Sequence, residues 1–265
     1  MIKVSHHYLV LPMPQYAVEE YHAVHPTRYR NQSSHEDIMT HTAGLRDTIL
    51  TMHEITILCF GDSNTFGQRP DVNARYDESV RWPRRLGALL ANEARQYYIV
   101  EEGLGGRRTD LDHPDPAKPS RNGWMYFPPC LASHQPDIAI IMLGTNDAQI
   151  CHQRPVEAIV TALARYITYC HESDVTPLLV APLIPDPTGL FNEAIVPRSA
   201  WHFDDTAVAT LTALPEKIRT YAAKHGVAFF DANTYAEAGV DGLHWTAAGH
   251  ERFARAIAQM IHEIA

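Results

Sequence analysis

A serine stands where an apolar run gives way to polar residues, a position suited to nucleophilic chemistry. The run ITILCF ends in the triplet GDS, whose serine is Ser63. A serine hydroxyl is a weak nucleophile until a neighbouring imidazole accepts its proton, and that imidazole needs a carboxylate to fix its tautomer. Near the end of the chain, Asp241 and His244 are spaced so that a single turn can hold them side by side. Taken alone, however, Ser63 is more often a helix cap than a nucleophile.

Two further segments could donate hydrogen bonds to the oxyanion that forms when a serine attacks an ester. GLGGRRT at 103–109 offers glycine amides, and GTND at 144–147 offers the side chain of Asn146. Each such donor typically lowers the barrier by about 3 kcal/mol. Both segments are also ordinary turn signals, so neither identifies a site by itself.

A metal centre is an alternative use of the polar residues. Asp241 and His244 could form half of a metal site. One loop carries further ligand-type side chains, namely Asp110, Asp112, His113 and Asp115. The proline content of that loop favours a solvated loop over a metal site.

Apolar runs alternate with amphipathic segments along most of the chain. Strand-type runs occupy 55–60, 97–102, 137–144, 176–182 and 227–232. Helix-type spacing occupies 80–94, 155–170, 204–224 and 246–264. Such alternation predicts an α/β fold, a five-stranded parallel sheet with helices on both faces. Because ligands bind beyond the carboxyl ends of such strands, we expect the four polar segments to meet at one edge of the sheet.

The composition restricts the classes of partner. The 265 residues include 22 Lys and Arg against 31 Asp and Glu, and the net charge of −9 argues against nucleic acid. No apolar stretch approaches the roughly 20 residues needed to cross a bilayer, and the N-terminus lacks the pattern of a secretory signal. We therefore expect a cytoplasmic protein without membrane contact. The four cysteines form no CxxC pair and are expected to be reduced, mostly packed thiols.

The first part of the chain differs from the rest, because it shows no sustained strand or helix period. We interpret 1–51 as an N-terminal extension, irregular or partly helical, and 52–265 as the domain that carries the polar segments. Met52 directly precedes the first strand-type run and is a candidate for the native translation start. Within the domain, 103–135 and 183–203 are rich in proline, glycine and aromatic residues and are predicted to be long loops.

The four polar segments together resemble the sequence blocks of the SGNH (GDSL) hydrolase family. The matching blocks, in order, are GDS at 61–63, GLGGRRT at 103–109, GTND at 144–147 and the DxxH pattern at 241–244. The resemblance covers the chain from about residue 54 to its end. The stretches EEGLGGRRT and VDGLHWTAAGH are similar to the arylesterase/acyltransferase branch of that family.

This resemblance implies a flavodoxin-like, three-layer α/β/α fold and a site without metal or organic cofactor. The implied catalytic triad is Ser63, His244 and Asp241. The implied oxyanion hole consists of the N–H groups of Ser63 and Gly106 and the side chain of Asn146. Gly105 is the less favoured register for the glycine. Members of this branch often assemble, so a homo-oligomer is expected.

The combined pattern predicts a serine esterase that hydrolyses small, short-chain acyl esters of acetyl type through an acyl-enzyme, with acyl transfer to alcohols as a second activity. Asn64, where the family usually has an aliphatic residue, is a candidate for the substrate pocket. Trp245 is another, although a packing role is an equal alternative for it. Two other functions stay open: a carbohydrate acetylesterase, and a non-catalytic flavodoxin-like protein that holds a ligand at the turn after the first strand.

Overall fold

Five parallel strands form the centre of the domain. The computed structural model describes residues 54–91, 95–195 and 202–265. The strands are β1 Ile55–Gly61, β2 Tyr97–Gly103, β3 Ile138–Met142, β4 Thr176–Ala181 and β5 Ala228–Asp231. They pair in parallel in the order β2-β1-β3-β4-β5. The predicted five-stranded parallel sheet is confirmed.

Helices connect the strands, and side-chain caps mark where the two longest begin. The α-helices of the described ranges are α1 Ser63–Phe66, α2 Trp82–Leu90, α3 Gly123–His134, α4 Val156–Glu172, α5 Pro187–Leu190, α6 Asp205–His225 and α7 Ala247–Ile264. The Asp204 side chain accepts the N–H of Ala207 at the start of α6, and the Thr246 hydroxyl accepts the N–H of Gly249 at the start of α7. Each cap satisfies a backbone donor that has no partner within its helix.

The side chains of β1 show why helices cover both faces of the sheet. Leu58 and Phe60 are buried in a core that includes residues of α3, α4 and α6, whereas Ile57 and Cys59 are buried in a second core with α2 and α7. Successive strand residues point to opposite faces, so a strand that is covered on both sides must be apolar throughout. The predicted three-layer α/β/α fold is therefore confirmed.

Helix α3 lies within the stretch 103–135, which the sequence predicted to be a loop. Pro128 and Pro129 stand inside this helix, and each removes one backbone hydrogen bond. The helix nevertheless buries Phe127 and Leu131 against the core. That burial offsets the missing bonds, and the proline pair is the reason that the sequence did not indicate a helix.

The strand order reverses at β1, which creates the place for a site. From β1 the chain passes to β2 on one side and then to β3 on the other side. Such a reversal opens a crevice beyond the carboxyl ends of the two central strands. The segments that follow β1, β2 and β3 therefore converge beside this crevice.

The predicted extension 1–51, Met52 and the boundary between them lie outside the described residues. In the ranges that are described, no helix has the length and apolarity to cross a membrane. All four cysteines are free, and three of them are buried: Cys59, Cys130 and Cys170.

Candidate active site

Ser63 is presented by a tight turn between β1 and α1. The turn needs glycine at 61, because a Cβ there would lie 2.1 Å from Oγ1 of Thr65. The carboxylate of Asp62 accepts the backbone N–H of Asn64 at 3.0 Å and so caps α1. Ser63 is the first residue of this helix, directly beyond the strand end.

The structure brings together the three side chains of the predicted triad. Nε2 of His244 lies 3.0 Å from Oγ of Ser63, although 181 residues separate them in the chain. Nδ1 of His244 lies 2.6 Å from Oδ2 of Asp241. In this arrangement the imidazole can accept a serine proton while the carboxylate fixes its tautomer.

Asp241 is held in its ionised form by its surroundings. Its Oδ1 accepts the backbone N–H groups of Leu243 and His244, each at 2.9 Å. Burial acts to raise the pKa of Asp241, but the hydrogen bond and charge of His244, together with these backbone donors, outweigh burial and hold the pKa below its usual value. A carboxylate is therefore available at neutral pH to stabilise an imidazolium.

The glycine segment after β2 lies against the end of β1. The carbonyl of Gly61 accepts the N–H of Leu104 at 3.1 Å and Nη1 of Arg107 at 3.0 Å. Gly106 has a φ of +76°, in the left-handed region that favours glycine. At Gly105, a Cβ would meet nothing within 4 Å. The backbone therefore requires glycine at 106, the position that the family resemblance assigned to the oxyanion hole.

Asn146 approaches the same segment from the end of β3. Its Nδ2 donates to the carbonyl of Arg107 at 3.1 Å, and its Oδ1 accepts Nε2 of Gln149 at 3.4 Å. An amide nitrogen carries two hydrogens, so a second N–H of Asn146 remains for another acceptor. The segments that carry the predicted oxyanion donors Ser63, Gly106 and Asn146 thus meet at the end of β1.

Asp147 joins two of these segments, a role that the sequence did not reveal. It is fully buried, and its Oδ2 accepts the N–H of Thr109 at 3.0 Å. Its Oδ1 accepts the Thr109 hydroxyl and Nη1 of Arg154, the latter at 2.8 Å. Asp147 therefore fixes the segment of Gly106 against the segment of Asn146. In the sequence it is part of an ordinary turn signal, because its partners come from elsewhere in the chain.

Asn64 has a different role from the predicted one of lining a substrate pocket. Its Oδ1 accepts the backbone N–H of Trp245 at 3.1 Å, and its Nδ2 donates to the carbonyl of Leu243 at 3.3 Å. The side chain is buried, and both ends of its amide contact the backbone on either side of His244. Asn64 therefore ties the start of α1 to the segment that carries the imidazole.

Trp245 packs in the core rather than lining a pocket. Its indole is fully buried, and its ring centroid lies 4.8 Å from that of Phe253 and 5.3 Å from that of His250. The chain enters α7 two residues later, which directs the large ring into the layer between the sheet and that helix. Of the two interpretations of Trp245, the structure supports packing.

The acidic loop that suggested a metal centre makes other contacts. Asp110 pairs with Arg154 and with Arg165, the latter at 3.1 Å. The carboxylate of Asp115 accepts the N–H of Ala117 at 2.9 Å. Within 54–91, 95–195 and 202–265, no group of three or more His, Cys, Asp or Glu side chains is placed to hold a metal ion.

Removing the Asn64 amide should destabilise the protein and loosen the segment that carries His244. Asn64→Ala leaves a buried N–H and a buried carbonyl without their partner, which costs about 1–3 kcal/mol. We expect this loss in urea unfolding, together with faster hydrogen exchange at the Trp245 amide. Asn192→Ala is the matched control, because the exposed Asn192 caps only a loop N–H, and it should change stability by less than about 0.5 kcal/mol. An unchanged rate of hydrogen exchange at the Trp245 amide in Asn64→Ala would contradict the role of Asn64 in holding this segment.

Asp62 should make stability depend on pH in a characteristic direction. Asp62 is 2% exposed, and burial raises the pKa of its carboxyl group from 3.8 to about 6, although the N–H of Asn64 acts against the shift. Between these values the folded protein binds a proton that the unfolded chain has released, so the stability contributed by this group is lost as pH rises.

Asp62→Asn should therefore become more stable relative to the wild type as pH increases. Asparagine caps a helix as well as aspartate does, and it does not ionise. We expect the difference in unfolding free energy to move in favour of the variant by roughly 2 kcal/mol between about pH 4 and pH 7. Urea denaturation at each pH measures it, and a difference independent of pH is the contrary result.

The model of the GDSL-like lipase/acylhydrolase family matches residues 59–252 of this chain. The match runs from within β1 to within α7 and includes all four polar segments. A comparison with curated proteins finds no match.

Solved structures of two kinds of esterase are similar to this chain. The native aryl esterase of M. smegmatis is 31% identical, with a TM-score of 0.69 over 80% of this chain and 100% of that chain. Est24, a carbohydrate acetylesterase from Sinorhizobium meliloti, is 31% identical, with a TM-score of 0.65 over 80% of this chain and 100% of that chain. A carbohydrate acetylesterase family member from Sinorhizobium meliloti is 27% identical, with a TM-score of 0.70 over 79% of this chain and 98% of that chain. With the family match spanning most of its length, the chain belongs to the GDSL-like lipase/acylhydrolase (SGNH) family and is a hydrolase.

Proposed function

We propose that the protein is a serine esterase that hydrolyses small, short-chain acyl esters of acetyl type through an acyl-enzyme. One observation carries the proposal: Ser63 Oγ, the His244 ring and the Asp241 carboxylate form a continuous chain with contacts of 3.0 and 2.6 Å. A nucleophile, its base and the group that orients the base are the minimum that acyl transfer by a serine requires.

In the first step, Oγ of Ser63 attacks the ester carbonyl carbon while Nε2 of His244 accepts the hydroxyl proton. Asp241 keeps Nδ1 protonated, so that Nε2 is the free base, and it stabilises the imidazolium that forms. The two backbone donors to Asp241 keep the carboxylate ionised and fixed in this role.

The carbonyl oxygen becomes an oxyanion in the tetrahedral intermediate. Its donors are the N–H of Ser63, the N–H of Gly106 and the second N–H of the Asn146 amide. The N–H of Ser63 lies in the first turn of α1, where backbone donors have no partner within the helix. Such donors stabilise the charge that develops in the transition state more than they stabilise the substrate.

Collapse of the intermediate expels the alcohol, which takes the proton from His244, and leaves the acyl group on Ser63. Water then attacks the acyl-enzyme with the same imidazole as base, which releases the acid and restores the hydroxyl. An alcohol in the place of water gives acyl transfer, the second activity that we propose for this site.

The similar proteins support a small acyl group in the substrate. An aryl esterase and two carbohydrate acetylesterase proteins share the fold over nearly their entire length. Aryl acetates and acetylated sugars have the same small acyl group and differ in the alcohol. The likeness to the Sinorhizobium meliloti proteins favours carbohydrate deacetylation as a second candidate function. The rates of acetate release from an acetylated sugar and from phenyl acetate would distinguish the two.

The flavodoxin-like binding protein, and the alternative use of Asp241 and His244 as metal ligands, have less support. A flavodoxin-like binding protein needs a helix N-terminus after β1 but has no use for an imidazole and a carboxylate beside it. A metal-dependent hydrolase would need a free ring nitrogen on His244. Both ring nitrogens are engaged, one with Ser63 and one with Asp241.

Ser63→Ala should abolish the hydrolysis of p-nitrophenyl acetate. The variant loses the nucleophile, and we expect kcat/KM to fall by at least about 10³-fold. Ser79→Ala is the matched control, because Ser79 is exposed and outside the site, and it should retain the wild-type rate. Release of p-nitrophenol, followed by absorbance, measures each rate.

Equal rates in the wild type and Ser63→Ala would show that Ser63 is not the nucleophile, and the proposal would fail. The same assay with p-nitrophenyl octanoate tests the acyl length. A higher kcat/KM for the octanoate than for the acetate would contradict the short-chain preference while leaving the serine mechanism in place.

A further inference from the structure

Arg108 is a buried cation that no carboxylate contacts. Its side chain has no exposed surface. In the described part of the chain, no carboxylate oxygen lies within 4.0 Å of its guanidinium, and its Nε is buried without a hydrogen-bond partner. Burial lowers the pKa of the Arg108 guanidinium, yet arginine retains its charge in proteins.

The contrast with Arg154 shows that this arrangement is unusual even within this molecule. Arg154 lies beside the same segment and contacts the carboxylates of Asp110 and Asp147. The charge of Asp147 is therefore already opposed by a closer cation. A buried charge without a direct counter-ion destabilises a fold, so the position of Arg108 calls for a reason beyond packing.

Two hydrogen bonds of the Arg108 side chain lead toward the proposed oxyanion donors. Nη1 donates to the carbonyl of Gly106 at 3.2 Å. Nη2 donates to Oε1 of Gln149 and lies 3.9 Å from Sγ of Cys151. Nε2 of Gln149 in turn donates to Oδ1 of Asn146 at 3.4 Å. One guanidinium thus contacts the glycine segment directly and the Asn146 amide through a single side chain.

This chain of hydrogen bonds sets both the orientation and the polarity of the Asn146 amide. Because Oδ1 is held by Gln149, Nδ2 must face the opposite way, toward the carbonyl of Arg107 and the place of the oxyanion. A cation at the far end of the chain polarises each amide in turn, which strengthens the terminal N–H as a donor. Because the guanidinium is buried, water screens its charge only weakly at the neighbouring segments.

We infer that Arg108 is a positioning residue for the oxyanion hole, which orients Gly106 and, through Gln149, Asn146, and which supplies positive potential to the tetrahedral intermediate. The inference rests on the proposed function of the site. Arg108 does not touch the substrate. Its effect should therefore appear in the transition state and not in substrate affinity.

Arg108→Met removes the charge and every donor while preserving the length of the side chain. For p-nitrophenyl acetate, we expect kcat/KM to fall by about 10- to 100-fold, less than for loss of a direct donor, with KM within about threefold of the wild type. The inhibition constant of a small trifluoromethyl ketone, which forms a charged adduct with an active serine, should rise by the same factor as kcat/KM falls. Arg108→Lys keeps the charge, so its kcat/KM and its inhibition constant should lie between those of the wild type and those of Arg108→Met. Arg219→Met is the control, because Arg219 is exposed on α6 and should retain wild-type kinetics.

Gln149 variants keep the test decisive even where Arg108→Met fails to fold. Gln149→Glu places a carboxylate against Arg108, which satisfies the buried cation but cancels its charge and removes the donor to Asn146. Gln149→Met removes the donor without adding a negative charge. We expect Gln149→Glu to be at least as stable toward urea as Gln149→Met. We also expect Gln149→Glu to have the lower kcat/KM of the two variants.

The outcomes separate a structural role from the inferred one. If Gln149→Glu is stable and retains wild-type kcat/KM, or if Arg108→Met changes KM alone, the inference is overturned while the proposed function stands. If the wild type shows no Ser63-dependent hydrolysis, the proposed function fails and the role of Arg108 fails with it. A parallel loss of kcat/KM and of trifluoromethyl ketone affinity, with KM preserved, supports the inference.

Discussion

The contact between the Ser63 hydroxyl and the His244 ring joins the first strand of the sheet to the segment before the last helix, and the rest of the site depends on it. A proton can pass between these atoms only while they stay within hydrogen-bond distance, so two segments 181 residues apart must keep a fixed separation. The segment of His244 is held by its own backbone: the carbonyl of His244 accepts the N–H of Gly239 at 2.7 Å, and the carbonyl of Gly242 accepts the N–H of Asp186 at 2.8 Å. Asn64 then ties this segment to the helix that begins with Ser63. Rigid supports of this kind are what a preorganised site requires.

The same edge of the sheet concentrates buried charge, and three of the charged residues there are accommodated in different ways. Asp147 is paired with Arg154 and accepts two bonds from Thr109. Asp62 is stabilised by a capping bond, and its pKa rises because it is buried. Arg108 has only neutral partners. Burial without an opposing charge is costly for stability, and all three residues flank positions to which we assign catalytic roles. We interpret this cost as the consequence of building an electrostatic environment for a reaction that develops charge.

The architecture could be predicted from the sequence because its signals are local. A strand covered on both faces is a continuous apolar run, as β1 and β3 are, and five strand-type runs separated by amphipathic segments indicate a parallel sheet. The convergence of Ser63, Asp241 and His244 at one edge follows from that topology. The residues themselves indicated Asn146 and a glycine of 103–109 as oxyanion donors. The family resemblance selected Gly106 over Gly105, and the positive φ of Gly106 gives a physical reason for that register.

The remaining features depend on contacts between distant segments, which no local pattern reveals. The prolines of α3 disfavour a helix in isolation, and only burial of its apolar face explains why one forms. The roles of Asn64, Asp147 and Arg108 are defined by partners elsewhere in the chain. The sequence did not decide whether Trp245 lines the substrate pocket or packs in the core, because residue type alone does not tell to which side of the backbone a large ring turns.

Covalent labelling of the serine tests the central contact most directly. A small fluorophosphonate reacts with a serine whose proton a neighbouring imidazole accepts, and peptide mass spectrometry identifies the residue that is modified. We predict one modified residue, Ser63, in the wild type, and no labelling at the same exposure time in His244→Ala. Labelling of a different serine, or labelling of Ser63 at an equal rate without His244, would contradict the account.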